Sequence, residues 1–298
     1  MITKKNITKV FFLFLFFHLF LWTLIPSISN INLPLDTIEA LAWGSNLDWG
    51  FSKHPPLSAF AVEVFFTIFG SNDWAYYLLS QIFVIIAFIY VWKLSNEIFE
   101  EKIYSLLSIL ALSGIYFYNF TTPEFNVNIS QLPFWALTVY YFWKGINSNS
   151  KINWILFGIF SALGFLSKYL FIYILIAIFI YFITNLKKYK KFTTNYFLSI
   201  LISLTILIPH FIWLFKNNFE SIYYGLTRSS LIDSTWINYL ENPFIFIIKQ
   251  ILILIPFLIM IFILLKKIRF KYKIKNRKTL FLISINLIPI MLILITSI

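Results

Sequence analysis

The sequence predicts an all-α, polytopic membrane protein, and three observations carry this prediction. Of its 298 residues, 60% are hydrophobic and only 12% are charged, whereas soluble domains average about 45–50% apolar and about 25% charged residues. Apolar runs of about 18 residues or more recur along the chain, and a run of that length can cross a bilayer as a helix. Lys and Arg are concentrated between these runs, which is typical of cytoplasmic loops.

These runs predict a bundle of about nine transmembrane helices. The first run follows a short basic segment, as a signal peptide would. Because no small-residue cleavage site follows it, we interpret it as a retained helix. The predicted spans cover residues 10–27, 74–94, 103–120, 128–145, 151–167, 168–186, 194–214, 244–265 and 279–298.

The apolar run at 56–69 is too short for a typical span and contains Glu63. If it crossed the membrane, the basic segments 187–191 and 266–278 would both lie outside, against the positive-inside rule. We therefore predict an interfacial helix at 56–69 within a first outer loop at about 28–73. This topology places the N-terminus in the cytoplasm and the loop on the periplasmic or extracellular side of the cytoplasmic (inner) membrane.

The remaining composition excludes several classes of protein. The net charge of +12 comes from basic residues between apolar runs, so we expect no nucleic-acid partner. The absence of cysteine excludes disulfides, thiolate metal sites and cysteine nucleophiles. We expect one transmembrane domain over residues 1–298. Because the last apolar run reaches Ile298, we also expect this to be a truncated form lacking C-terminal spans and a soluble domain.

Charged residues cluster in the first outer loop, between residues 35 and 57, although the flanking sequence is almost purely apolar. Asp36 and Glu39 are three residues apart on a predicted short helix at 36–46 and therefore share a face. An alternative interpretation is that Asp36 only caps that helix. A cap would explain one acid but not the second.

Two prolines follow the pair Lys53-His54 and predict a rigid, extended turn that aims both side chains at the membrane edge. A carboxylate opposite a Lys/His pair suits a reaction in which a phosphate leaves. The acid accepts a proton from an incoming hydroxyl, and the cation neutralises the departing phosphate.

Further short motifs follow one another in a fixed order along the chain. They are Asp36, Leu-Asp-Trp-Gly at 47–50, His-Pro-Pro-Leu at 54–57, Pro-Glu-Phe-Asn-Val-Asn at 123–128, Gly-Phe-Leu-Ser-Lys-Tyr at 164–169 and Pro-His-Phe-Ile-Trp-Leu at 209–214. In order and spacing they resemble glycosyltransferase family 39, the protein O-mannosyltransferases and bacterial aminoarabinose transferases of the GT-C fold. The resemblance extends over about residues 10–230.

The resemblance implies a GT-C-like bundle that transfers a sugar, with inversion, from a polyprenyl-phosphate carrier to a lipid, glycan or protein acceptor at the outer face of the membrane. It implies these site residues: Asp36 as the catalytic base with Glu39 as a second acid, Lys53, His54 and Lys168 near the carrier phosphate, Glu124 and Asn126 lining the site, and Arg228 as a weaker phosphate candidate. For Lys168, snorkelling at a helix end is the alternative.

Other interpretations stay open at this point. The histidines offer no ligand-spaced pair, so we predict no certain cofactor, although a divalent ion between Asp36 and the carrier phosphate is an alternative. His18 is expected to pack or form hydrogen bonds within the bundle, and His210 is expected to be a packed interfacial histidine at a helix end. A transporter or flippase of a lipid-linked substrate would place charges near the midplane of its spans. Many family members have an acid where this chain has Thr37, which favours either substitution by Glu39 or an inactive truncated remnant.

Overall fold

The computed structural model describes residues 4–148, 150–229, 236–265 and 276–296, and these residues contain helices and no strand. Three short 3₁₀ turns lie at Tyr116–Tyr118, Tyr169–Phe171 and Lys190–Phe192. The α-helices are α1 (Lys4–Ser29), α2 (Leu35–Gly44), α3 (Leu57–Phe69), α4 (Asp73–Ile98), α5 (Lys102–Ser113), α6 (Val127–Asn147), α7 (Lys151–Ser167), α8 (Ile172–Thr184), α9 (Leu186–Tyr189), α10 (Thr193–Lys216), α11 (Glu220–Ser229), α12 (Trp236–Leu265) and α13 (Arg277–Thr296).

The chain is a polytopic, all-α membrane protein, as the sequence predicts. The described part of each predicted span lies mainly on helices, except the second half of 103–120, and residues 297–298 of the last span lie outside the described residues. The first loop contains the two short helices α2 and α3. Within the described ranges, five helical segments are long and apolar enough to cross a membrane: Asn6–Ser29, Asp73–Ile98, Leu186–Lys216, Glu241–Ile259 and Arg277–Thr296. Shorter apolar helices, among them Lys151–Ser167, complete the bundle.

The predicted span at 103–120 is wrong in its length, because helix α5 ends at Ser113. The Gly114 N–H closes the last turn on the Leu110 and Ala111 carbonyls. The Asn119 side chain then donates a hydrogen bond of 2.7 Å to the Ser113 carbonyl. Since this amide satisfies an acceptor at the end of the helix, the chain can turn here without leaving a bare carbonyl. Hydropathy continues through this turn, which is why the apolar run overestimates the helix.

Large aromatic side chains form the main core, where α6, α7, α8, α10 and α13 meet. Phe142 and Trp154 are fully buried and pack edge-to-face. Phe182 stacks on Tyr196 with ring centroids 4.4 Å apart. A second core joins α1, α4 and α5, where Phe11 stacks on Trp92 at 4.3 Å. Aromatic side chains bring large buried areas and geometric preferences, so they fix how the helices cross.

Polar contacts gather at the two ends of the bundle. At one end, which we call the basic end, Lys144 pairs with Glu97 at 3.0 Å and Lys278 donates to the Ile98 carbonyl at 2.8 Å. Arg277 at the same end donates to the Tyr189 hydroxyl at 2.7 Å. The opposite end, which we call the site end, holds the segments 30–57, 114–126, 168–171 and 217–229.

Helices α7 and α10 approach closely at Gly158. A methyl group there would lie 2.5 Å from the Ser199 carbonyl oxygen. The Ser203 hydroxyl donates to the Gly158 carbonyl at 2.6 Å, which ties the same two helices together. Small residues permit this kind of backbone approach between membrane helices.

We expect Gly158→Ala to destabilise the protein by about 1–3 kcal/mol, because the added methyl forces the two helices apart. The measurement is the thermal midpoint of the purified protein in detergent. Gly225→Ala is the matched control, since nothing lies within 4 Å of its added methyl group. Equal midpoints for the two variants would contradict the close packing of α7 on α10.

Candidate active site

Helix α2 is seated on the segment that leads into α6. The buried Thr37 hydroxyl donates to the Phe125 carbonyl at 3.2 Å, and the Glu124 carboxylate accepts the Asp36 N–H at 3.2 Å. Pro34 occupies the N-cap position, and no side chain of the loop caps the helix. The capping interpretation of Asp36 is therefore wrong. Asp36 lies inside the first turn, and Glu124 supplies an acceptor for that turn from another part of the chain.

The Asn126 side chain holds the Asp36 carboxylate. Its Oδ1 atom caps α6 by accepting the N–H groups of Asn128 at 2.9 Å and Ile129 at 3.2 Å. Because the oxygen must face these donors, the amide nitrogen faces the other way and donates to Asp36 Oδ2 at 3.2 Å. Nδ2 can only donate, so this oxygen of Asp36 acts as an acceptor. Asp36 is itself an exposed residue.

Lys168 joins the same cluster through a residue that the sequence interpretation missed. The chain is extended at Lys168, between α7 and the next 3₁₀ turn, and its Nζ donates to Asn128 Oδ1 at 2.5 Å. Asn128 lies in the first turn of α6, two residues after the cap. The Asn-Val-Asn spacing therefore places one amide toward Asp36 and the other toward Lys168.

Lys53 forms an ion pair with Glu39. The hydrogen bond that Lys53 donates to this carboxylate, and then the negative charge of the carboxylate, hold the pKa of Lys53 above its ordinary value. Asp36 contributes in the same direction, although more weakly. Glu39 is thus paired with a lysine. The second acid that contacts the start of α2 is Glu124, whose carboxylate accepts the Asp36 N–H. The substitution of Glu39 for a missing acid beside Asp36 stays a prediction.

His54 lies between aromatic rings and is half-buried. Its imidazole packs edge-to-face against Trp43 at 5.9 Å and against Tyr224 of α11 at 6.2 Å. Its carbonyl accepts the Phe51 N–H at 3.1 Å, which closes the turn before the two prolines. Arg228 lies in the last part of α11, and its side chain is outside the described residues.

The first loop is also anchored on α10 by residues that sequence reasoning did not assign. Asp48 accepts a hydrogen bond of 2.8 Å from the Trp213 indole, and the Trp49 carbonyl lies 2.6 Å from His210 Nδ1. Gly50 lies directly against the Trp213 ring, where any added methyl would overlap it. The expectation that His210 is packed is confirmed, since the residue is fully buried. The motifs at 47–50 and 209–214 are thus two sides of one contact.

In the part of the chain that the structure describes, no group of three His, Asp or Glu side chains could hold a metal ion. The acids of the cluster contact a backbone N–H, an amide and a lysine instead. What the cluster offers chemically is a carboxylate held by a neutral donor, with lysines nearby.

The fold and the site define a polytopic membrane protein with carboxylates, amides and lysines gathered at one end of its bundle. The model of the dolichyl-phosphate-mannose-protein mannosyltransferase family matches residues 53–213, just over half of the chain. The chain belongs to this family and is therefore a glycosyltransferase of the GT-C type, with a lipid-linked sugar donor and an acceptor in a membrane. No curated protein and no solved structure matches the chain.

The extent of the match separates the candidate residues into two groups. Asp36 and Glu39 precede it, and Arg228 follows it. The matched region contains Lys53, His54, Glu124, Asn126 and Lys168.

Glu39→Gln is expected to make Lys53 more reactive toward acetic anhydride at pH 9, because the raised pKa keeps the amine protonated in the wild-type protein. Quantitative mass spectrometry of the Lys53 peptide measures the rate. The raised pKa also means that the ion pair stabilises the fold below the ordinary lysine pKa of 10.5 and loses this effect as the pH rises through the folded value. An unchanged acetylation rate in the variant would show that Glu39 does not hold Lys53 in solution.

Proposed function

We propose that the chain transfers a sugar from a polyprenyl-phosphate donor to a hydroxyl of a lipid, glycan or protein acceptor, by a single inverting displacement at the outer face of the cytoplasmic membrane. The observation that carries the proposal is the Asp36 carboxylate, held by Asn126 at 3.2 Å within a cluster that also contains two lysines. Membership of the family supports the class of reaction, and the side chains of the cluster are the chemical groups that the reaction requires.

Asp36 acts as the general base in this proposal. The acceptor oxygen attacks the anomeric carbon of the sugar, the bond from that carbon to the phosphate oxygen breaks, and the acceptor proton passes to Asp36. Asn126 supports this role, because its Nδ2 orients the carboxylate while leaving the second oxygen to the acceptor. Where the acceptor is a phosphate with no proton to lose, Asp36 only positions it.

The leaving group is a polyprenyl phosphate, whose negative charge grows as the bond breaks. Lys168 and Lys53 are the proposed cations that neutralise it, with His54 beside them. Both lysines are already paired within the cluster, Lys168 with the neutral Asn128 and Lys53 with the anionic Glu39. Because an amide gives up a cation more easily than a carboxylate does, Lys168 is the stronger phosphate contact of the two.

The orientation in the membrane is part of the proposal. The basic end carries Lys102, Lys144, Arg277 and Lys278, and such residues favour the cytoplasmic side. The cluster lies at the opposite end of the same helices, between α2 and the start of α6. This arrangement supports an outer-face site that receives its donor from the outer leaflet.

Asp36→Asn is expected to lower sugar transfer by about 10²- to 10⁴-fold, the usual contribution of a general base. Membranes containing the protein are incubated with a panel of radiolabelled polyprenyl-phosphate sugars, and label is counted in the lipid and protein fractions. Asp73→Asn is the control, because Asp73 is an exposed acid in the first turn of α4. Transfer that survives in Asp36→Asn would overturn the assignment of the base, and no transfer by the well-expressed wild type would overturn the proposed function.

Lys168→Gln is expected to reduce kcat/KM for the donor by about 10²-fold, through loss of one charge that faces the leaving phosphate. The assay is the one used for Asp36, run over a range of donor concentrations. Lys216→Gln removes an exposed lysine from the last turn of α10 and serves as the control. If both lysine variants keep wild-type kinetics, Lys168 only supports the helix end on which it lies.

A further inference from the structure

His210 is a fully buried histidine whose ring nitrogens are both within hydrogen-bond distance of a partner. Nδ1 lies 2.6 Å from the Trp49 carbonyl oxygen, and Nε2 lies 3.1 Å from the Tyr169 hydroxyl. The Tyr169 hydroxyl in turn lies 2.6 Å from the Ser221 hydroxyl. Four parts of the chain thus meet in one line of polar contacts, and the proposed reaction does not use the groups of this line.

The chemistry of the partners gives the line a single direction. A carbonyl can only accept, so His210 Nδ1 must carry the hydrogen that points to Trp49. In the neutral imidazole Nε2 is then an acceptor, and the Tyr169 hydroxyl must donate to it. Since that hydroxyl donates its only hydrogen to His210, its oxygen accepts a hydrogen bond from the Ser221 hydroxyl. We call this line, from Ser221 through Tyr169 and His210 to Trp49, the His210 chain.

The His210 chain ends on the segments that carry the proposed phosphate contacts. Tyr169 directly follows Lys168, and Trp49 precedes Lys53 in the same loop. Ser221 lies in the first turn of α11, whose Tyr224 packs on His54. The first loop, the turn at Lys168 and helix α11 are therefore connected through one imidazole.

The turn between α10 and α11 shows why such an anchor is needed. Asn218 and Phe219 both adopt positive φ angles, 50° and 58°, which L residues other than glycine rarely adopt. Two neighbouring residues in this region strain the backbone and persist only where the surroundings hold them. Ser221 is the first fully buried residue after this turn, and its hydroxyl bonds to Tyr169.

We propose that His210 and Tyr169 are positioning residues for the donor site. They hold the first loop, the turn at Lys168 and helix α11 in one arrangement, so that a polyprenyl phosphate meets its cations already in place. This inference rests on the proposed function for its kinetic consequence, whereas the arrangement itself can be measured without any activity.

The first test measures the arrangement. Because the chain has no cysteine, spin labels can be placed at exposed Ser52 of the first loop and exposed Tyr223 of α11 without removing native thiols. We expect one narrow distance distribution by double electron–electron resonance, and a broadened one when Tyr169→Phe is added. Tyr173→Phe is the control, since its hydroxyl bonds to Thr296, away from the chain.

The second test measures transfer. Tyr169→Phe is expected to raise KM for the polyprenyl-phosphate sugar about three- to tenfold, the effect of one lost hydrogen bond, with little change in kcat. His210→Asn keeps a donor for the Trp49 carbonyl but loses the acceptor for Tyr169, so it should match Tyr169→Phe, and the double variant should be no worse than either. His210→Phe loses both bonds and should be more impaired.

The outcomes separate this inference from the proposed function. A broadened distance distribution in Tyr169→Phe supports the His210 chain even if the wild type transfers no sugar, a result that would refute only the proposed function. Wild-type distances together with wild-type KM in Tyr169→Phe and His210→Phe would overturn the inference while leaving the transferase intact. A loss of activity that only follows the amount of folded protein would also overturn it, because a purely structural role leaves KM unchanged.

Discussion

The side-chain amide of Asn126 is the interaction on which the candidate site depends. One end of the amide caps α6, and the other holds the Asp36 carboxylate. The cap fixes the amide orientation, and the orientation fixes which group faces the acid. Hydrogen bonds of Thr37 and Glu124 hold the start of α2 against the same segment. A helix terminus inside the membrane bundle, whose free N–H groups require an acceptor, thus becomes the support for the proposed catalytic base.

The bilayer explains why the polar groups gather where they do. Hydrocarbon offers no partner to a backbone or side-chain polar group, so helices satisfy their own backbone and charges lie near their ends. In this chain the ion pair of Lys144 with Glu97 lies at one end and that of Lys53 with Glu39 at the other. Loops that are far apart in the sequence meet at one end of the bundle, because the helices between them run back and forth along it. The aromatic core around Phe142 and Trp154 sets the crossings that make them meet.

The fold was largely predictable from the sequence, because long apolar runs mark helices in a membrane. The end of α5 was not predictable, because a glycine and the Asn119 side chain end that helix within an apolar run. For the site, the charged loop and the Pro-Glu-Phe-Asn segment stood out by composition and by resemblance to a family. Their pairing could not be derived, since nothing in a local pattern states that Glu39 meets Lys53 or that Glu124 meets the Asp36 N–H. Asn128 and Tyr169 lie within motifs that carry the resemblance, but no local pattern gives either residue a role before its neighbours in the fold are known.

The contacts of the first loop span a large part of the chain, and this has a consequence for how the protein is made. Asp36 and Glu124 are 88 residues apart, and Trp49 and His210 are 161 apart. A ribosome delivers the loop long before it delivers its partners. In the proposed orientation, the loop lies outside while α4 to α7 insert, and its contacts with α10 form only after that helix has been made. A nascent chain stopped before α10 would already contain the partners of Asp36 and Lys168. It would lack the contacts of Asp48 and Trp49 with Trp213 and His210, which anchor the loop on α10.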